Sequence, residues 1–254
     1  MEKHFKLTSE TKIVSGKTLY RIQATKDLPN GVKKGDLGGF VEKEENLGNT
    51  AWVYGNAEVY ENACVSGNAY VFNNAKVYGN AQVFGDARVY ENAVVYGKAG
   101  VYGNAVICGN SWVSGNAYVF DNVFVSGNSW VSGNAYIFNN ARVYENASVS
   151  GDACVFDNAK VHGNSKIYGN AKLCGNAEVH RDTVLNSESG LIVITIPGRF
   201  SITVTKKLIF AGCKTFDSEK IKDITKKEAE NLGLEKEFYK PYKDMVLAAI
   251  KLVK

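Results

Sequence analysis

From Leu47 onward the apolar positions of this chain recur every sixth residue. The run reads LGNTAW, VYGNAE, VYENAC, VSGNAY, VFNNAK, VYGNAQ and continues without insertion to LCGNAE and VHRDTV. Position one of each hexad is Val, Ile or Leu, from Val53 and Val59 to Val179 and Leu185. Position five is Ala, with Ser111, Val123, Ser129, Ser165 and Thr183 as departures. Position four is Asn except at Thr50, Asp86, Lys98, Asp152 and Asp182, and position three is mostly Gly or a short or acidic residue. A β-branched side chain at position one suits a short buried strand. Alanine at position five fits where walls converge, and Gly-Asn supplies a turn because both residues tolerate positive φ. Stacked Asn side chains can satisfy one another from turn to turn. The pattern predicts an all-β solenoid over residues 47–189.

The ends break the period. KIVSGKTLYRIQA (Lys12 to Ala24) reads as a hairpin around Ser15-Gly16, within a β cap over residues 1–46. LIVITIPGRFSITVTKKLIFAGC predicts two or three strands interrupted at Pro197-Gly198. Helices are expected from about Asp217 to Gly233 and from Leu234 onward, so residues 190–254 form a small α+β unit. Both end units are expected to cap open strand edges that would otherwise template stacking of further chains.

The unbroken hexads resemble the hexapeptide-repeat family. That resemblance implies a left-handed parallel β-helix of triangular section, with three hexads per 18-residue coil. At about 4.8 Å per stacked strand the prism is ~35–40 Å long. The phrase TLYRIQATKDLPNGVKKGDLGGFVEKEENL before WVYGNA repeats, and the tail pattern IVITIPG…ITVT…GC…F, are similar to a group of phage and prophage proteins. This second likeness implies an accessory protein of a mobile element acting inside a bacterium, and carries over no catalytic residue.

An 18-residue period sorts the residues flanking each position-one Val onto three outward faces. The first face carries Tyr70/Phe72, Arg88/Tyr90, Phe124/Ser126 and Lys160/His162. The second carries Glu58/Tyr60, Trp112/Ser114 and Trp130/Ser132. The third carries Phe84, Tyr102, Tyr118/Phe120, Tyr136/Phe138 and Phe156. Two aromatics per strand on the third face suggest a covered surface, most simply a contact with another copy of the chain. A serine beside each tryptophan of the second face is expected to open a shallow notch, a flat ring next to a hydroxyl, on which a base or sugar ring could stack. Large beside small is also simple volume compensation.

Composition narrows the remaining classes. The chain has only three prolines against 25 glycines, and no run of 18 apolar residues to span a membrane. MEKHFKLTSE lacks an apolar signal-peptide core, so a cytoplasmic location is expected. The five cysteines include no C-x-x-C and fit reduced thiols. Residues 47–189 carry 8 basic and 11 acidic side chains, too few cations for a nucleic-acid binder, and the basic excess lies in the tail. Tail lysines such as Lys206, Lys207 and Lys214 are read mainly as a solvated helix face.

No P-loop, dinucleotide fingerprint or nucleophile elbow occurs, and GDLGGF (Gly35 to Phe40) reads as a structural glycine-rich turn. His162 and His180 should stack one coil apart, in line with Cys108; no third metal ligand is obvious, and Glu178 is the nearest candidate. Hexapeptide-repeat acyltransferases place a histidine between subunits beside a projecting loop, and this chain has no such loop. The expectation is therefore a non-catalytic, cofactor-free homo-oligomer that captures a host protein or a small nucleotide-like signal. A virion or scaffold module is the first alternative and an acyltransferase the second.

Overall fold

The computed structural model describes residues 3–180, 183–186, 192–195, 201–204, 208–211, 214–217, 246–247 and 250. Its body is a parallel β-solenoid of about eight coils. Each hexad contributes a two-residue strand, such as Trp112–Val113, Tyr118–Val119 and Phe124–Val125. Strands 18 residues apart pair in parallel, Trp112 with Trp130 and Tyr118 with Tyr136. The three outward faces read from the repeat are three separate sheets of 11, 8 and 7 strands. Backbone amides donate one coil upward throughout, as in Trp112 to Ser129 at 2.9 Å and Tyr118 to Ala135 at 2.9 Å.

The core is the two positions the repeat singles out. Val53 through Val179 and Ala51 through Ala159 are fully buried or nearly so. The hydroxyl departures at position five are buried too, and most turn back on the chain: Ser111 Oγ donates to the Cys108 carbonyl at 2.7 Å and Ser165 Oγ to His162 at 2.6 Å. Val123, also buried, adds volume at mid-height. The expected amide ladders are present, running through Asn92, Asn110, Asn128 and Asn146 at 3.0–3.1 Å per step.

The acidic residues at position three have a role the period alone does not reveal. Glu91 sits at φ +61° and accepts from the Gly109 amide one coil above, at 2.6 Å. Glu145 does the same for Gly163 at 2.7 Å, Glu61 for Gly79 at 2.8 Å and Asp157 for Gly175 at 3.0 Å. A left-handed turn aims that amide along the axis, where no strand partner waits. The carboxylate closes a bond that would otherwise go to water, and charge strengthens it.

At the base, β1 (Phe5–Val14) and β2 (Lys17–Ala24) form the expected hairpin, longer than KIVSGKTLYRIQA, with Ser15 and Gly16 both at positive φ. β3 (Leu37–Val41) pairs antiparallel with β2 and parallel with Glu58–Val59, so the cap and the prism share one sheet. GDLGGF is not one turn: Gly38 and Gly39 lie in β3. A Cβ there would meet Ile22 or Val53 at 2.5 Å, so glycine is needed for close approach. Beneath them Trp52 and Phe5 plug the prism, and His4 Nε2 donates to the Ala51 carbonyl at 2.9 Å.

At the other end, four antiparallel strands (Ile192–Thr195, Ser201–Val204, Leu208–Ala211 and Lys214–Asp217) form a meander. One more strand is present than the pattern predicted, and Ser201–Val204 lies against the coil at Glu178–Val179. Val246, Leu247 and Ile250 are helical; the rest of the expected helices, the Pro197-Gly198 break and tail lysines other than Lys214 lie outside the described residues. Among those described, no helix is long and apolar enough to cross a membrane.

Candidate functional site

Each outward face offers two columns, the residue before the buried Val and the residue after it. On the third face the after-valine rings Phe120, Phe138 and Phe156 form one ladder, at 5.1 Å and 2° and then 4.9 Å and 1°. In the before-valine column Tyr118 stacks on Tyr136 at 5.3 Å. The two columns connect below: Tyr102 leans across Gly100, stacking between Phe84 at 5.8 Å and Tyr118 at 6.2 Å. Its hydroxyl donates to Gln82 Oε1 at 2.8 Å. Stacking covers part of every ring, so only Tyr118 (37 %) and Tyr136 (43 %) stand well exposed on this face. From Cys64 to Phe156 the face carries no charged side chain in either column.

The second face crosses columns in the same sense. Tyr60, Tyr78 and Tyr96 stack in the after-valine column at 5.0 and 5.2 Å. Tyr96 then meets Trp112 edge-on at 86°, and Trp112 stacks on Trp130 at 5.2 Å and 6° in the neighbouring column. Ser114 occupies the after-valine site beside Trp112 and is 7 % exposed. The notch expected from serine beside tryptophan is therefore covered at Ser114. It is open only one coil up, where Trp130 is 49 % exposed and Ser132 half-buried. At the base of this face Glu58, read as outward, is buried, because Lys12 from the hairpin bonds it at 2.8 Å and Lys76 at 3.3 Å.

Four of the five well-exposed rings among the described residues, all but Tyr168, share a position that sorting by face hides. Tyr118, Phe124, Trp130 and Tyr136 are the before-valine residues of four consecutive hexads. They make an apolar collar passing around all three sides at mid-height. Before-valine residues are uncharged from Val94 to Tyr136, whereas Lys76 and Arg88 lie below and Arg142, Lys160 and Lys166 above. Reading those residues in chain order would have found the collar.

On the first face the predicted histidine stack forms: His162 lies 5.4 Å from His180 and 4.6 Å from Tyr144. Glu178 does not complete a metal set with them. Its Oε1 bonds His162 Nε2 at 3.0 Å, while Nδ1 faces Glu145 at 3.8 Å. No group of three His, Cys, Asp or Glu side chains among the described residues is arranged to hold a metal ion. In the same column, burial pushes the Cys108 thiol up, although the Tyr90 hydroxyl bonded to it pulls the other way. That hydroxyl is itself pushed up to about 12, first by the bond to Cys108 and then by burial.

Repeat, parallel coils and amide ladders together define a hexapeptide-repeat-like β-solenoid. The family described as YdcK Beta solenoid repeat matches residues 81–97, AQVFGDARVYENAVVYG. No curated protein matches the chain.

Proposed function

We propose that this protein is a non-catalytic binding scaffold that assembles with copies of itself through its third face. The observation that carries this reading is a wall with no charge from Cys64 to Phe156, centred on the exposed and stacked Tyr118 and Tyr136. Interface cores are depleted in charge and enriched in aromatic residues. Two such walls meet without like-charge repulsion or unpaired ions, which favours a second copy over a charged partner. The strands beneath are hydrogen-bonded coil to coil, so little further ordering is needed on contact.

Light scattering at micromolar concentration tests the proposal. The wild type should scatter as an oligomer, and a Tyr118→Arg, Tyr136→Arg variant with an unchanged circular dichroism spectrum should be a monomer. A monomeric wild type overturns the reading.

The likeness of both ends to phage and prophage proteins supports an accessory role inside a bacterium, holding a host component. A virion or scaffold module becomes the better reading if the chain co-purifies with particles. Acyl transfer has less support, because His162 is held between two rings with a carboxylate facing each nitrogen. Loss of an acyl-CoA-dependent activity in His162→Ala would restore it.

A further inference from the structure

The after-valine column of the first face begins Tyr54, Phe72, Tyr90. Phe72 and Tyr90 stack closely, at 4.6 Å and 8°. Below them the ladder breaks. Tyr54 turns aside toward Tyr70, 6.1 Å away and tilted by 44°, and meets Trp52 edge-on at 6.4 Å. The side of Phe72 away from Tyr90 therefore has no ring stacked on it among the described residues. A groove of about 490 Å³ opens there, lined by Tyr54, Gly55, Tyr70, Phe72, Asn73 and Arg88.

The turns are splayed at the same level. A Cβ built on Gly67, Gly79 or Gly109 would meet the next coil's backbone at 2.7–2.9 Å. On Gly55 the nearest atom, the Asn73 carbonyl oxygen, is 3.6 Å away. The groove also carries a cation. Lys76 pairs with Glu58 and Lys160 with Glu178, whereas Arg88, like Arg142, Lys166 and Lys172, forms no ion pair among the described residues. Arg88 is exposed and in register with Tyr70, and its guanidinium has no hydrogen bond among the described residues.

We infer that this groove is a binding site for a nucleoside phosphate. The base takes the free face of Phe72, bordered by the Tyr54 and Tyr70 rings, and the phosphate takes the forked guanidinium of Arg88. The Asn73 amide offers a donor and an acceptor to the base edge. A volume of this size holds a base with its sugar and exceeds what a single small ring needs. The site lies on the first face and does not depend on assembly through the third.

Calorimetric titration of the full chain with adenosine 5′-monophosphate tests the inference, with adenosine, inorganic phosphate and benzoate as parallel probes. The monophosphate should bind at least about tenfold more tightly than adenosine, because only it engages Arg88. Arg88→Gln should reduce its affinity to the adenosine level while leaving adenosine binding and thermal melting unchanged. Phe72→Leu should weaken both ligands. No binding of the monophosphate at millimolar concentration, equal binding of benzoate, or wild-type affinity in Arg88→Gln overturns the assignment.

Discussion

Trp112 and Trp130 lie face to face at 5.2 Å, and at that pair the aromatic ladder of the second face changes column. Below them the rings are tyrosines after the valine; here they are tryptophans before it, with serine in the abandoned column. The indole of Trp112 is contacted by Tyr96 on one side and Trp130 on the other. Trp130 ends the ladder, since the next residue in its column is Ser148. Trp112→Ala should therefore cost about 2 kcal/mol and Trp130→Ala about 1 kcal/mol, both below the cost of a fully buried ring. Urea unfolding of the two variants measures the difference, and equal losses would contradict a ladder that terminates at Trp130.

Gly100 is where the third face changes column. A Cβ there would clash with the Tyr102 ring. Gly100→Ala should displace that ring, abolishing its bond to Gln82 and its stack on Tyr118, at about 1 kcal/mol. The near-ultraviolet circular dichroism of the tyrosines should change while the far-ultraviolet signal stays fixed.

The carboxylate clasps separate two opposing effects at one residue. Glu91 endures a left-handed backbone, worth about 1 kcal/mol of strain, and gains the bond from the Gly109 amide. Glu91→Ala keeps the strain and loses the bond, and should destabilise by about 1–2 kcal/mol. Glu91→Gly loses both and should come out about 1 kcal/mol more stable than the alanine variant. The order of the two variants in a denaturant titration decides the matter.

His4 makes the base of the prism sensitive to acid. Burial holds its imidazole below the ordinary 6.5, outweighing the bond to the Ala51 carbonyl, and Lys26 and Lys3 act in the same direction as burial. An unfolded chain accepts the proton near pH 6.5, the folded chain only at lower pH. Between those values the unfolded state binds more protons, so stability is complete above the unfolded value and falls as pH drops through the window. The melting temperature of the wild type should decline more steeply below pH 6.5 than that of His4→Gln, and run parallel to it well above pH 6.5.

The hexads made the strands, the three walls and the 18-residue columns legible, because a two-residue strand leaves each side chain only one inward or outward choice. Tyr118 over Tyr136 and His162 beside His180 follow from that choice alone. What a ring does once it points outward depends on the volume beside it. Tyr102 over Gly100 and the indoles beside Ser114 and Ser132 therefore depart from straight columns. Glu58 was misread because the hairpin that covers it lies more than forty residues earlier in the chain. The clasps did leave a trace in the sequence: an acid in a glycine position with glycine 18 residues on, as at Glu61 and Gly79 or Glu145 and Gly163. The broken ladder at Tyr54 left none, since its column reads Tyr, Phe, Tyr without interruption.

Every clasp, amide rung and aromatic stack reaches to a residue one coil away, and this makes the chain a ruler with a fixed graduation. Removing or duplicating a hexad would turn everything above the edit by one wall, setting Tyr136 over an unrelated column and aiming Glu145 at the wrong amide. Removing or duplicating three hexads together would leave each partner above and below in place. Such a molecule can grow or shrink only in whole coils, and its height is a property that can be edited without redesigning its sides.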